Sequence, residues 1–376
     1  MPANKKHHYV PRFYLKHFAP DGHSVRLFNF RQGRSISEAN LKNQCYRDYM
    51  YGKDGKQERN LSQLEVVLSE LLKRILLTAT LPPPFSPDHE SICVLTLLQS
   101  ARTAYSADAA DEFSDKMWKQ VLEKDPRVEP RMLEKVRIVN TDPANFTVST
   151  MLRLYHLIMD LDYRLLSAPK GTEFITSDNP VVMYNQLMEF ERFGSNTGLA
   201  CKGLQIFFPL SPRHLLAFFD RAVYAYKPRK LIVIEVPTAQ DMQQLNALQV
   251  VAARENVYFA SPKVDIFRAI ESAKHLRRKK MVNVIASPER PTPTGTSQII
   301  GGSREDIRTN LSLNFVRILK PAKRWREDRK RPGPKQVTVV RDPVLLRAHD
   351  AFLAQVDAGR YQPTEFLRYL HETNYD

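Results

Sequence analysis

The sequence predicts an α+β fold: a helical N-terminal half packed on a mixed or antiparallel sheet from the C-terminal half. Three observations lead there. Helical patterning dominates from about residue 61 to 166, and strand-like runs take over after 172. Between them, Ile92-Cys93-Val94-Leu95-Thr96-Leu97-Leu98 is apolar on every side. A helix with no polar face needs cover all round, and its helical neighbours are too few to supply it. Helical and strand blocks are therefore expected to share one core over 1–286. A linker, a basic segment and C-terminal helices follow over 287–376.

The elements are read in order. Val25 to Phe30 alternates at period two and runs into Gly33, the pattern of a strand and turn. A helix is expected from Leu61 to about Thr78, with Asn60 as N-cap and Gln63 closing a capping box. Its apolar stripe is Leu61, Leu64, Leu68, Leu71, Leu72 and Ile75. Ser86-Pro87 opens the apolar helix, and further helices are expected over 108–123 and from Asp142-Pro143 onward. Glu173–Thr176, Leu204–Phe208, Leu215–Phe219 and Leu231–Val236 read as strands, Thr238–Ala253 as a helix and Val257–Phe259 as a strand. A basic helix is expected over 263–280 with Phe267, Ile270 and Ala273 inward, then a short strand at 282–285. Residues 287–303, with Pro288, Pro291, Pro293, Gly295, Gly301 and Gly302, read as a linker. A strand at Val337–Val340 and a helix from Pro343 to Val356 close the chain.

Composition excludes several classes. The 376 residues are 43% hydrophobic, which suits a folded rather than a disordered chain. Three Cys, at 45, 93 and 201, have neither disulfide-framework nor zinc spacing. No run approaches the roughly 18 apolar residues that span a bilayer. No apolar stretch follows Lys5 and Lys6, so the start is not read as a secretory signal. The expected setting is the cytoplasm, with no membrane partner. Phosphate-binding and dinucleotide glycine motifs and a Gly-x-Ser-x-Gly elbow are absent from the sequence.

Charge is more telling. Fifty-six Lys and Arg against 41 Asp and Glu leave +15. Five cations fall in Lys274-His275-Leu276-Arg277-Arg278-Lys279-Lys280. Nine more lie between Arg317 and Lys335, including Arg324 and Arg326, against two acids. Such clustering points to a polyanionic partner, DNA or RNA, rather than a uniformly solvated surface.

Four polar constellations stand out, each with a structural reading beside the chemical one. His7-His8-Tyr9-Val10-Pro11 places imidazoles beside aromatics and cations; it is an acid–base or stacking site, or an edge strand. Glu65 borders the apolar stripe of its helix, with Glu58 seven residues before it. A carboxylate there needs a metal, an Arg or a proton to transfer. Gln99 and Arg102 share a helix face, where Arg102 either holds a phosphate or pairs a glutamate. Thr176-Ser177-Asp178-Asn179-Pro180 presents Asp178 at a strand end, as a cation ligand or as an Asx-type turn.

As a set, His8-Tyr9-Val10-Pro11 with Leu15 and Phe18, Glu58 with Leu61 and Glu65, Gln99 with Arg102, Thr176 to Pro180, and Phe208 to Pro212 resemble the motifs of a family of bacterial proteins of unknown function. The resemblance covers roughly residues 5 to 262. It implies no reaction, but it implies that His8, Glu58, Glu65, Arg102 and Asp178 meet in one pocket.

The expected function is a metal-assisted phosphodiesterase or nuclease, a candidate toxin or antiviral effector. Glu58, Glu65 and Asp178 would hold Mg2+ or Mn2+, His8 would move the proton, and Arg102 would hold the phosphate. Gln99, Ser177, Asn179, Lys274, Arg277, Arg278, Lys279, Arg324 and Arg326 would bind the substrate. The alternatives are a non-catalytic nucleic-acid-binding or adaptor protein whose polar network is structural, and an enzyme acting on a small phosphorylated substrate.

Overall fold

Ile92 to Ala101 is buried residue after residue, so the helix that carries it lies in the middle of the molecule. The computed structural model describes residues 5–191, 196–263, 265–292, 295–331 and 338–373. The expectations placed on Pro293, Lys335 and Val337 lie outside these residues.

The chain begins with β1 (Lys6–His8), the one-turn α1 (Arg12–Leu15), the hairpin β2 (Ser24–Asn29) and β3 (Arg34–Asn40), and β4 (Tyr46–Asp48). Helices α2 (Lys56–Thr78), α3 (Pro87–Ala101), α4 (Ala104–Leu122), α5 (Pro130–Lys135) and α6 (Pro143–Leu152) follow. Next come β5 (Asp162–Ser167), β6 (Thr176–Ser177), β7 (Val182–Tyr184), β8 (Gln205–Pro209), β9 (His214–Phe219), β10 (Tyr224–Tyr226) and β11 (Val233–Glu235). Helix α7 (Ala239–Ala252), β12 (Asn256–Phe259) and α8 (Ile266–Ala273) lead to β13 (Val282–Ala286), β14 (Arg290–Thr292), β15 (Gly295–Ser297), β16 (Ile300–Arg304) and β17 (Val316–Ile318). Helices α9 (Lys320–Lys330), α10 (Pro343–Asp357) and α11 (Phe366–Thr373) end the described chain. The fold is α+β. Among the described residues no helix is long and apolar enough to cross a membrane.

Period two explains the central sheet. Its five strands run β11-β5-β9-β8-β7; β11 is parallel to β5 and the other pairs are antiparallel. Leu165, Ile206, Phe208, Leu216 and Phe218 join the apolar cluster around α3. The alternate residues Leu166, Phe207, Leu215, Ala217 and Phe219 join a second cluster with Met242, Leu245, Leu248 and Val251 of α7. Successive side chains on a strand point to opposite faces, so this sheet is buried on both.

Strands and helices are not sorted into halves. A four-stranded sheet, β3-β2-β12-β6, joins the first forty residues to the middle of the chain, with Leu27 opposite Tyr258. Chain beyond 286 also packs on what precedes it. β16 pairs with β13 across the expected linker, and β17 pairs with β10. Phe352 of α10 and Phe366 of α11 belong to the α3 cluster.

Three local expectations are corrected. Helix α2 starts at Lys56 after Gly55 in the left-handed region (φ 66), and Asp54 Oδ1 accepts from the Lys56 N–H at 3.1 Å. Asn60 is therefore inside the helix, and Glu58 is in its first turn. The basic helix ends at Ala273, and Ile266 rather than Phe267 (56% exposed) joins Ile270 and Ala273 inward. The expected linker carries β14, β15 and β16.

The C-terminal helices are latched by two imidazoles. His156 Nε2 and His349 Nδ1 share a hydrogen bond, and the His156 ring stacks on Phe366 with centroids 4.3 Å apart. One ring donates and the other accepts, and burial favours the neutral form of both. Burial, then the neighbouring His349, pushes His156 down to about 2; burial lowers His349 as well, against a smaller opposing pull from Asp350. The unfolded value is about 6.5, so the unfolded chain binds more protons below it. The contribution of this pair to stability is therefore expected to be full above about pH 6.5 and to fall as pH drops, by up to about 1.4 kcal/mol per pH unit for each ring. Urea midpoints at about pH 7 and about pH 5 check this, and His349→Leu should show a shallower loss than the parent.

Candidate functional site

Arg102 sits at the C-cap of α3, and its side chain is 3% exposed. A buried guanidinium needs every donor used. Nη1 donates to Glu65 Oε1 at 2.6 Å, Nη2 to the His8 carbonyl at 2.7 Å, and Nε to the Tyr51 hydroxyl at 3.4 Å. One turn back, Gln99 Nε2 donates to the Tyr9 carbonyl at 3.3 Å. Gln99 and Arg102 thus grip the backbone of the N-terminal motif from one face of α3. Burial opposes the charge on Arg102, but Tyr51 and Glu65 outweigh it and hold the group above its ordinary value.

The imidazole that enters this buried network is His7, whereas the sequence reading gave the acid–base role to its neighbour His8. His7 is fully buried, stacks on Tyr51 with centroids 5.7 Å apart, and accepts from the Tyr51 N–H at 3.1 Å through Nδ1. Glu58 lies near it, with its carboxyl raised by burial against the pull of His7 and Arg102. His8 is only half-buried. Its Nδ1 donates to the Gln44 carbonyl at 3.0 Å, and burial lowers its pKa. The register of β1 on β4, which sets His7 opposite Arg47, aims the two rings in opposite directions.

Asp178 does its work elsewhere. It is 2% exposed, and its carboxylate accepts three backbone amides: Arg254 at 2.7 Å, Glu255 at 2.7 Å and Asn256 at 3.0 Å. Burial raises it to about 6 despite those bonds. Ser177 Oγ donates to Gln249 Oε1 at 2.9 Å, and Asn179 Nδ2 donates to the Ala252 carbonyl at 3.2 Å. The Ser-Asp-Asn segment therefore ties β6 to the end of α7 and the start of β12.

The expected metal set is not assembled. Among the described residues no group of three or more His, Cys, Asp or Glu is placed to hold a metal ion. Glu65 is committed to Arg102, and Asp178 to three amides. Glu58 and Glu65 are seven residues apart on one helix, about 10 Å of rise. His8, Glu58, Glu65 and Arg102 gather around α3 and β1, while Asp178 caps the turn after α7.

The cations also divide. Arg277 is structural: it donates to the Ala253 and Arg254 carbonyls at 2.9 and 2.8 Å and stacks 3.6 Å from the Phe30 ring centroid. These contacts draw the chain across the end of α7 and account for the early end of α8. Lys274 pairs with Glu271. On α9, Arg326 lies 3.7 Å from Glu327, Arg329 bonds Glu191 at 2.7 Å and Arg324 is exposed; just beyond its end, Arg331 bonds Asp328 at 3.1 Å.

Arg278 and Lys279 line an open cavity of about 630 Å³ with His275, Arg304 and Arg308. No residue of α9 lines it. Arg278 lies over the Tyr105 ring, 4.5 Å from its centroid, and its Nε is buried without a hydrogen-bond partner. Burial lowers Arg304, Tyr105 raises it, and Arg278 lowers it further. The acids in the wall are engaged. Glu305 accepts the Lys280 N–H at 2.7 Å, and Asp306 accepts from Asn196 and Thr197 at 3.1 Å each. Neither Arg278 nor Arg304 has a carboxylate partner among the described residues. The sequence reading missed Tyr105 and Arg304; Arg304 lies two residues after the Gly301-Gly302 pair that made its segment look like a linker.

The site thus separates into a buried clamp and an open basic groove. The chain belongs to the family described as Protein of unknown function (DUF4238), whose model matches residues 6–263. No curated protein and no solved structure matches it. The matched region holds the Arg102 and Asp178 clamps, while Arg278 and Arg304 lie beyond it.

Two substitutions test the clamps. Glu65→Gln leaves Arg102 charged and buried. The expected cost is about 3 kcal/mol, the low end for breaking a buried pair, because Glu65 is partly exposed. Asp178→Asn sets an amide N–H₂ against backbone N–H donors and should cost about 1–3 kcal/mol. Thermal melts read both, and neither Mg2+ nor EDTA should shift the parent's midpoint. A rise with Mg2+ that is lost in Asp178→Asn would restore the metal site.

Proposed function

We propose that the protein binds nucleic acid through the groove lined by Arg278, Lys279, Arg304 and Arg308, with the Arg102 and Asp178 networks serving as its frame. The observation that carries this reading is that two guanidiniums, Arg278 and Arg304, both act on Tyr105 and neither forms an ion pair among the described residues. Two partly buried cations that repel each other gain from an anion placed against both. A polymer of phosphates supplies such anions at regular spacing and releases counterions on binding. Of the groove's own acids, Glu305 accepts the Lys280 amide, while Asp306 accepts from Asn196 and Thr197 and lies 4.0 Å from Arg308, so Arg278 and Arg304 are the cations without an ion pair among the described residues. Lys279 is exposed at the rim, where it adds attraction at long range. A nuclease of the expected kind would need a carboxylate-held metal, and two of the three carboxylates assigned to it, Glu65 and Asp178, are committed to Arg102 and to backbone amides.

The test is binding of labelled nucleic acid across a salt series. Arg278→Gln and Arg304→Gln should each weaken binding and lower the slope of log affinity against log salt by about one. The label should stay intact with Mg2+ as with EDTA. Unchanged affinity and slope in both variants would remove the groove from the function. Metal-dependent cleavage abolished by EDTA would establish an enzyme instead.

A further inference from the structure

Arg304 and Ser303 border a second cavity, of about 220 Å³ and of different character. Its walls are Phe113 of α4, Phe146 and Met151 of α6, Val282 of β13 and Gly302 of β16. Gly302 is needed there, since a Cβ at this position would collide with the Phe113 ring. The missing side chain lets an aromatic face lie against the strand. Phe146, in the same lining, is 55% exposed. An apolar hollow with an exposed ring therefore opens beside the cation that also serves the basic groove.

We infer that this hollow takes one unstacked base while Arg304 and Arg278 hold the adjoining phosphates, so that the groove prefers single-stranded nucleic acid to duplex. The inference rests on the nucleic-acid reading above. The occupant is set by charge and shape together. A cationic rim on an aromatic-lined hollow matches a planar ring joined to an anion. Every base has a π-face, so stacking on Phe146 or Phe113 is tolerant of sequence. A paired and stacked base cannot enter without leaving its duplex, which costs part of the gain.

The full-length protein is titrated with three probes of one length: an oligothymidylate, a strand of abasic residues, and a duplex. The abasic strand keeps the phosphates and lacks the bases. Thymidylate should bind roughly tenfold more tightly than the abasic strand, the worth of one stacked base, and more tightly than duplex. Phe146→Ala should close the gap between thymidylate and abasic strand. Equal binding of the two by the parent protein would overturn the base pocket whatever the variant does. If all three bind equally with a steep salt dependence, the groove stands and the pocket falls. If none binds, or Arg304→Gln changes nothing, the groove reading falls as well.

Discussion

A guanidinium buried at the end of a helix with no polar face is the constraint around which the rest of the structure is arranged. Helix α3 is enclosed on all sides, so Arg102 at its C-cap cannot reach water. An unpaired charge there would cost several kcal/mol. The partners that prevent this come from three separate elements: Glu65 from α2, the His8 carbonyl from β1 and Tyr51 from the loop between β4 and α2. Satisfying one side chain therefore fixes how the N-terminal strand, α2 and α3 meet. Asp178 does the same with opposite sign. Its buried carboxylate collects three amides and fixes how α7 turns into β12.

Much of the fold was legible because its signals are local. Period-two alternation marked β8 and β9, whose residues divide cleanly between the two apolar clusters. Ser86, Asp142 and Thr238 each cap the helix their position suggested. The failures came where a distant partner decided. Arg277 crosses to α7 and Phe30, so charge and periodicity alone overextended α8. Prolines and glycines at 288–302 read as a linker because sequence does not reveal that β16 pairs with β13 against α4.

The candidate site was half legible, for the same reason. Arg102 and Glu65 were found, and the option that they pair with each other is the one the geometry takes. Which histidine of His7-His8 turns inward depends on the register of β1 against β4, which no residue near it announces. Counting cations located the basic segments but not their state. Ion pairs with Glu191, Glu327 and Asp328 occupy cations of α9, whereas Arg278 and Arg304 meet an aromatic ring and each other.

This difference in pairing separates a solvated charged surface from a binding surface. Cations on α9 that already face carboxylates would have to exchange one anion for another, with little net gain. Arg278 and Arg304 would gain an ion pair where they now make none among the described residues, in a partly desolvated setting where each interaction counts for more than in bulk water. Repulsion between them is tolerated because Tyr105 offers its π-face to Arg278 and the packing of β13 and β16 against α4 holds Arg304 in place. The frame is thus spent on keeping two like charges close together. A fold gains nothing in stability from such an arrangement, so the groove is better understood through its ligand than through the protein's own stability.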